Sequence, residues 1–299
     1  MKSLIFENPI LCSTFNGIKK MSRHISNVFQ LAYDAEVKRA YGQKRSLAGT
    51  TREKSVEDAK SVYFRKKGKG MATLHQPGAD VRAMNVEYNQ VLCNLQDWEA
   101  KDYVDKFDAL KFNFSEAKEL AEVASDALGL RMDQIIIDAL ASGYDSSNMK
   151  VGTTQTALTI ATLLKAKTKL NDNGVENRNL TFIHTPKMLE DLLGTTQVTS
   201  SDYNSVKALV NGELNTFLGM KFIMIAPRSE GGLPAGSNTG DFIGFIYHKD
   251  AVGFALGQNI ETRMDYIAEK SAYLVGGDFS AGAVVIDDKG VVGVLAGVA

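Results

Sequence analysis

Between residues 115 and 142 the chain reads SEAKELAEVASDALGLRMDQIIIDALAS. At 1.5 Å per residue this run predicts a rod of about 42 Å, well beyond the mean globular helix. Ser115 is the expected N-cap, and Glu116 and Glu119 complement the positive end of the dipole. The pair Ser142-Gly143 ends the run. Gly129 lies in its middle, at a cost of about 1 kcal/mol relative to alanine, and is expected to mark a bend or a close crossing by another element. Whatever fold the chain adopts must be arranged around this rod.

Ahead of the rod stand two runs with strand character, KSVYFRKK and VRAMNVEYNQVLCNLQDWEAKDYVD. A basic turn with Lys66, Lys67, Gly68, Lys69 and Gly70 opens the segment between them. Two strands joined in this way predict a long hairpin. With few apolar residues at its tip it has no core of its own, and a two-stranded ribbon is marginal alone. It must therefore lie on something else.

Upstream, Ile25, Val28, Phe29, Ala32, Ala35 and Ala40 recur at helical spacing, predicting an amphipathic helix from an N-cap at Ser22 to Gly42. The polar stretch GQKRSLAGTTREKS reads as a flexible linker or extended arm. Downstream of Gly152 the order is a helix (TQTALTIATLLKAKTKL), a strand (LTFIHT) and a helix started by Pro186. A further helical run, SDYNSVKALVNGELNTFLG, precedes the strand MKFIMIAP and a glycine-rich loop. The last fifty or so residues have sheet character. This order predicts an α+β protein with two subdomains.

Charge is divided along the chain. Residues 1–82 carry 16 lysines and arginines against 7 carboxylates, while the remainder carries 18 against 28. Such a division suits a basic region that meets an acidic partner, either nucleic acid or another copy of the chain. No run approaches the ~18 apolar residues of a membrane helix, and no membrane partner is expected. The N-terminal residues lack the pattern of a secretory signal. Cys12 and Cys93 form neither a disulfide framework nor a zinc knuckle, which points to folding in a reducing cytoplasm.

Searches for chemistry return little. GKGMAT lacks the spacing of a phosphate loop, and the Gly–Gly spacings near the C-terminus sit inside β-runs without a following helix. His24, His75, His184 and His248 are scattered; His184, just before Pro186, is expected to be a packed, hydrogen-bonded ring. Trp98, among carboxylates that would repel phosphates, is expected to pack half-buried on a strand. Asp287 and Asp288 read as a strand-to-turn junction. Catalytic residues, cofactors and metal ligands are not expected.

Taken together, these segments resemble the major capsid proteins of tailed bacteriophages, the Hong Kong 97-type fold, especially the short-tailed phage branch. KSVYFRKKGKGMATLHQPGADVRAMNVEYN occupies the position of that family's E-loop, and residues 115–142 that of its spine helix. LTFIHTPKMLEDLLG and VNGELNTFLGMKFIMI are similar to steps of its axial (A) domain. HKDAVGFAL and GAVVIDDKGVVGV are similar to phrases of its closing sheet. The resemblance covers residues 22–298; order and spacing carry it more than any single motif. Residues 1–20 have no counterpart, and MSRHISNVF from Met21 resembles a start, so translation from Met21 is an open alternative.

The resemblance implies an N-terminal arm (1–52), an E-loop hairpin (53–96), a first part of the peripheral (P) domain with the spine (97–152), an A-domain (153–240) and a closing β-region (241–299). It implies a non-enzymatic shell subunit that forms hexamers and pentamers of an icosahedral virion head, assembled in the host bacterial cytoplasm. The implied partners are a separate scaffolding protein, a portal protein and non-specifically contacted double-stranded DNA. Arg65, Lys66, Lys67 and Lys69, at the E-loop tip, are expected to meet acidic residues of a neighbour. Gly129 is expected to be the hinge of the spine, with Leu128, Met132, Ile135, Ile136 and Leu140 buried beneath the P-domain sheet. An encapsulin-like nanocompartment shell of the same fold and a soluble α/β enzyme with a cleft near Gly231–Gly240 remain alternatives.

Overall fold

Apolar runs this different in period, some alternating and some continuous, call for strands with one buried face and strands with two. The computed structural model describes residues 44–105, 116–194 and 216–297, apart from 57–58, 76, 79, 81–82, 229–230 and 237. The described chain begins with β1 (Arg52–Ser55), forms the ribbon β2 (Ser61–Lys67) and β3 (Tyr88–Asn94), and continues into β4 (Gln96–Asp105). Helix α1 (Glu116–Gly143), β5 (Lys150–Val151) and helix α2 (Ile160–Asp172) follow. Then come β6 (Leu180–His184), helix α3 (Pro186–Leu193), β7 (Thr216–Phe217) and β8 (Met220–Met224). The chain closes with β9 (Phe242–His248), β10 (Val252–Ile267), β11 (Ala272–Val285) and β12 (Val291–Ala296).

One sheet has six strands in the order β5-β12-β9-β6-β8-β7. Its central strands are buried on both faces, and the period of two divides each between two cores. Ile183, Ile223, Phe245, Tyr247 and Val291 face the core built on α1. Their neighbours Phe182, Phe222, Ile246 and Val292 face Leu163, Ala166 and Leu170 of α2 and Met188 and Leu192 of α3. A second sheet, β1-β10-β11-β4, presents Val252, Phe254, Phe279 and Ala281 to the same side of α1. The helix therefore bridges the two sheets. Leu128, Met132, Ile135, Ile136 and Leu140, the residues expected to form its buried face, are in that core.

The helix covers Glu116–Gly143, and Ser115, its expected cap, lies outside the described residues, as do residues 22–42. Helix α2 begins later than expected. Thr159 caps it, its hydroxyl accepting the Thr162 N–H at 3.3 Å, while Gln155 adopts φ 53° and donates its N–H to Asp241. Most of the helical run expected over 201–219 also lies outside the described residues. Its last four residues are β7 and a turn, with Leu218 at φ 53° and Gly219 at φ 76°. Two successive positive φ angles make the two-residue turn that suits a hairpin into β8.

Of the two readings of the polar stretch, its described residues fit the extended arm, anchored where flexibility was expected. Leu47 is fully buried, Thr50 and Thr51 are buried, and residues 52–55 pair in parallel with β10. Polar composition concealed this because the anchoring is done by backbone groups and hydroxyls, which find fixed partners in the core.

Candidate functional site

The period of two gives the β2–β3 ribbon two unlike faces. On the inner face Val62 pairs with Cys93, and Phe64 with Val91; Val62, Phe64 and Cys93 are buried against Ala255 and Ile286. A Cβ on Gly253 would lie 2.9 Å from ring atoms of Phe64, so the ring seats directly on β10. Burial pushes the Cys93 thiol up to about 11, against a weaker opposing hydrogen bond with the Ala255 backbone, and removes it as a nucleophile at neutral pH. On the outer face Tyr63 pairs with Leu92, Arg65 with Gln90 and Lys67 with Tyr88. Tyr63 is 55% exposed and Tyr88 70%, with the Lys67 ammonium 5.9 Å from the Tyr88 ring centre.

The four basic residues singled out from the sequence divide between these faces. Arg65, Lys66 and Lys67 lie within β2, short of the turn of the hairpin. Arg65 and Lys67 point outward and are exposed. Lys66 lies on the inner side and donates to Asp287 Oδ1 at 2.9 Å, within its own chain. Lys69 also turns back on its own chain, donating to the Asn173 carbonyl at 2.7 Å. Beyond them the Gly68 N–H bonds to Glu87 O at 2.8 Å, and residues 69–86 form no strand where described. That distal segment holds Met71, Leu74 and Met84, exposed by 81%, 92% and 58%. Its apolar content was underrated in the sequence, where basic residues dominate the first part of the turn.

A second assembly of groups fixes the entry of the arm. Asp133 of α1 is fully buried and accepts the Ser46 N–H at 2.7 Å, the Ser46 hydroxyl at 3.1 Å and the Leu47 N–H at 3.1 Å. Arg45 Nε lies 3.8 Å from one carboxylate oxygen and Arg228 Nη1 3.7 Å from the other. One turn earlier, a Cβ on Gly129 would stand 3.3 Å from Arg45 Cβ. The glycine thus lies where the arm crosses the helix closely. Thr50 and Tyr247 then share a buried hydroxyl hydrogen bond of 2.8 Å. No feature of the sequence analysis selected Asp133; the usable signal is a carboxylate four residues after a mid-helix glycine, on the same face.

Other expected features find ordinary structural roles. Gln134 fills the space beside the Gly231–Gly240 region: its Oε1 accepts the Gly232 N–H at 2.8 Å and its Nε2 donates to the Gly232 carbonyl at 3.2 Å. His184 is buried between Phe182 and Phe222, with Nδ1 3.0 Å from the Thr185 carbonyl. Trp98 is partly buried beneath the Arg131 guanidinium, 3.8 Å from the ring centre. Among the described residues no group of three or more histidines, cysteines or carboxylates is placed to hold a metal ion.

The family model described as phage capsid protein matches residues 25–297. No curated protein matches the sequence. Among solved structures, the head of Helicobacter pylori bacteriophage KHP40 is 14% identical, with 100% of both chains covered and a TM-score of 0.71. The capsid of cyanophage P-SCSP1u is 14% identical over 96% of this chain and 98% of its own, with a TM-score of 0.69. The capsid of Ralstonia phage GP4 is 13% identical over 98% of each chain, with a TM-score of 0.65.

Proposed function

The chain belongs to the phage capsid protein family, and from that premise we propose that the outer face and distal segment of its hairpin join one subunit of the head to the next. The protein is a major capsid protein and its place is the virion shell. The observation that carries the proposal is the ribbon itself. It is buried only at its root, and it extends Met71, Leu74, Met84 and Tyr88 into solvent without a core around them. Burying such side chains against a neighbour yields roughly 1.5–3 kcal/mol for each large one, repeated at every copy. Lys66 and Lys69 are engaged in their own chain. Of the four basic residues, Arg65 and Lys67 are the ones already exposed to a neighbour's carboxylates in the free chain.

Within this reading the subunits form hexamers and pentamers of an icosahedral shell, assembling in the bacterial cytoplasm on a separate scaffolding protein around a portal. The shell encloses double-stranded DNA, which it contacts without base recognition. The subunit itself performs no catalysis. Gly129 acts as the spine's hinge when a precursor shell expands. Replacing both Arg65 and Lys67 with glutamate is expected to block shell formation while the thermal transition of the subunit stays unchanged. Shells of normal yield and size from that variant overturn the contact.

A further inference from the structure

The basic root of the hairpin faces a wall made by its own chain. Between them lies a cleft of ≈ 460 Å³ lined by Lys66, Lys67 and Lys69 on one side and by the turns around Asn173 and Asp287 on the other. Two contacts cross it, Lys66 Nζ to Asp287 Oδ1 at 2.9 Å and Lys69 Nζ to the Asn173 carbonyl at 2.7 Å. Both partners are held in position. Asp287 caps the following turn by accepting the Lys289 N–H, and the Asn173 side-chain amide reaches Met149 and the Lys289 carbonyl. The two turns are therefore tied to each other as well as to the hairpin.

We propose that these two contacts form an intrachain clasp, which parks the hairpin against its own subunit and which a neighbour's carboxylates release by competing for the lysines. The clasp belongs to the free chain; its consequence for assembly rests on the capsid reading. Burial raises the Asp287 carboxyl, and the hydrogen bond and charge of Lys66, joined by the Lys289 N–H and the Asp288 side chain, together outweigh that, so it titrates below its ordinary value. The Lys66–Asp287 half of the clasp is thus present while Asp287 is ionised and is lost as pH falls through that lowered value, leaving the Lys69 contact with a carbonyl. The other titratable groups lining the cleft are Glu176, His248 and Asp250 from the body and Lys289 from the turn, and the exposed Lys67 borders it. Lys66 and Asp287 are each about one-third exposed, so salt weakens the pair without abolishing it.

The test is hydrogen exchange on the full-length, unassembled subunit. Lys66→Met and Asp287→Asn should each speed exchange of the β2–β3 amides by roughly two- to five-fold, the loss expected for a partly exposed pair. The β12 amides, deep between two cores, should keep their rates. The reversed pair, Lys66→Asp with Asp287→Lys, should recover most of the protection. Wild-type exchange in both single variants overturns the clasp. So does a reversed pair that exchanges as fast as either single variant. The readout is independent of shell formation: altered exchange in a chain that forms no shells even with its scaffolding protein supports the clasp and counts against the assembly reading.

Discussion

Asp133, itself fully buried, collects three donors from residues 46 and 47 and has two guanidiniums within 4 Å. A carboxylate so placed costs desolvation and is stabilising only while its partners stay aligned. Asp133→Ala leaves two backbone N–H groups without their acceptor and the buried Arg228 without the carboxylate 3.7 Å from it. We expect a loss of about 3 kcal/mol in chemical denaturation, larger than for a surface carboxylate. A loss below about 1 kcal/mol would show that Leu47 burial, the Thr50–Tyr247 hydrogen bond and the β1 pairing hold the arm without Asp133. His184 supplies a pH dependence. Burial lowers its pKa, with the Thr185 carbonyl opposing, so the unfolded chain takes up the proton first as pH falls. Stability is therefore full above about pH 6.5 and declines below it, until the folded ring also protonates, by at most about 1.4 kcal/mol per pH unit for one proton. His184→Phe should flatten the slope between pH 7 and 5. An unchanged slope assigns the dependence to other groups.

At the scale of elements, the long helix and the strands in LTFIHT and MKFIMIAP were legible because period and length are written directly in the residue order. The helix runs over Glu116–Gly143 against an expected 115–142, and β6 ends and α3 starts where His184, Thr185 and Pro186 place the junction. The arm was not legible. Its order comes from Asp133, distant by 86 positions in sequence, and local composition contains no trace of such a partner. The same crossing bears on Gly129. Alanine there adds about 1 kcal/mol of helix propensity. Its methyl, however, meets Arg45 Cβ at 3.3 Å, on a residue whose guanidinium lies over the Phe254 ring. We expect Gly129→Ala to leave the unfolding free energy within about 0.5 kcal/mol of wild type, as the two effects offset. A gain of the full propensity term would mean that the arm yields freely at this point.

For the whole molecule, the division of charge between the first 82 residues and the rest pointed to a partner before any fold was known. The structure shows that part of that charge is spent within the chain, by Lys66 on Asp287 and by Lys69 on a carbonyl. Which lysines remained for a neighbour depends on the strand's two faces, and these appear only once the register of Phe64 on Gly253 is fixed. The claim that the hairpin is completed by another copy is tested most directly by electron cryomicroscopy of the full-length protein expressed at high level together with its scaffolding protein. The account predicts closed shells in which residues 68–87 lie against the adjacent subunit and Met71, Leu74 and Met84 are buried there. A monodisperse 32.6 kDa monomer, or shells in which those three side chains remain in solvent, would contradict it.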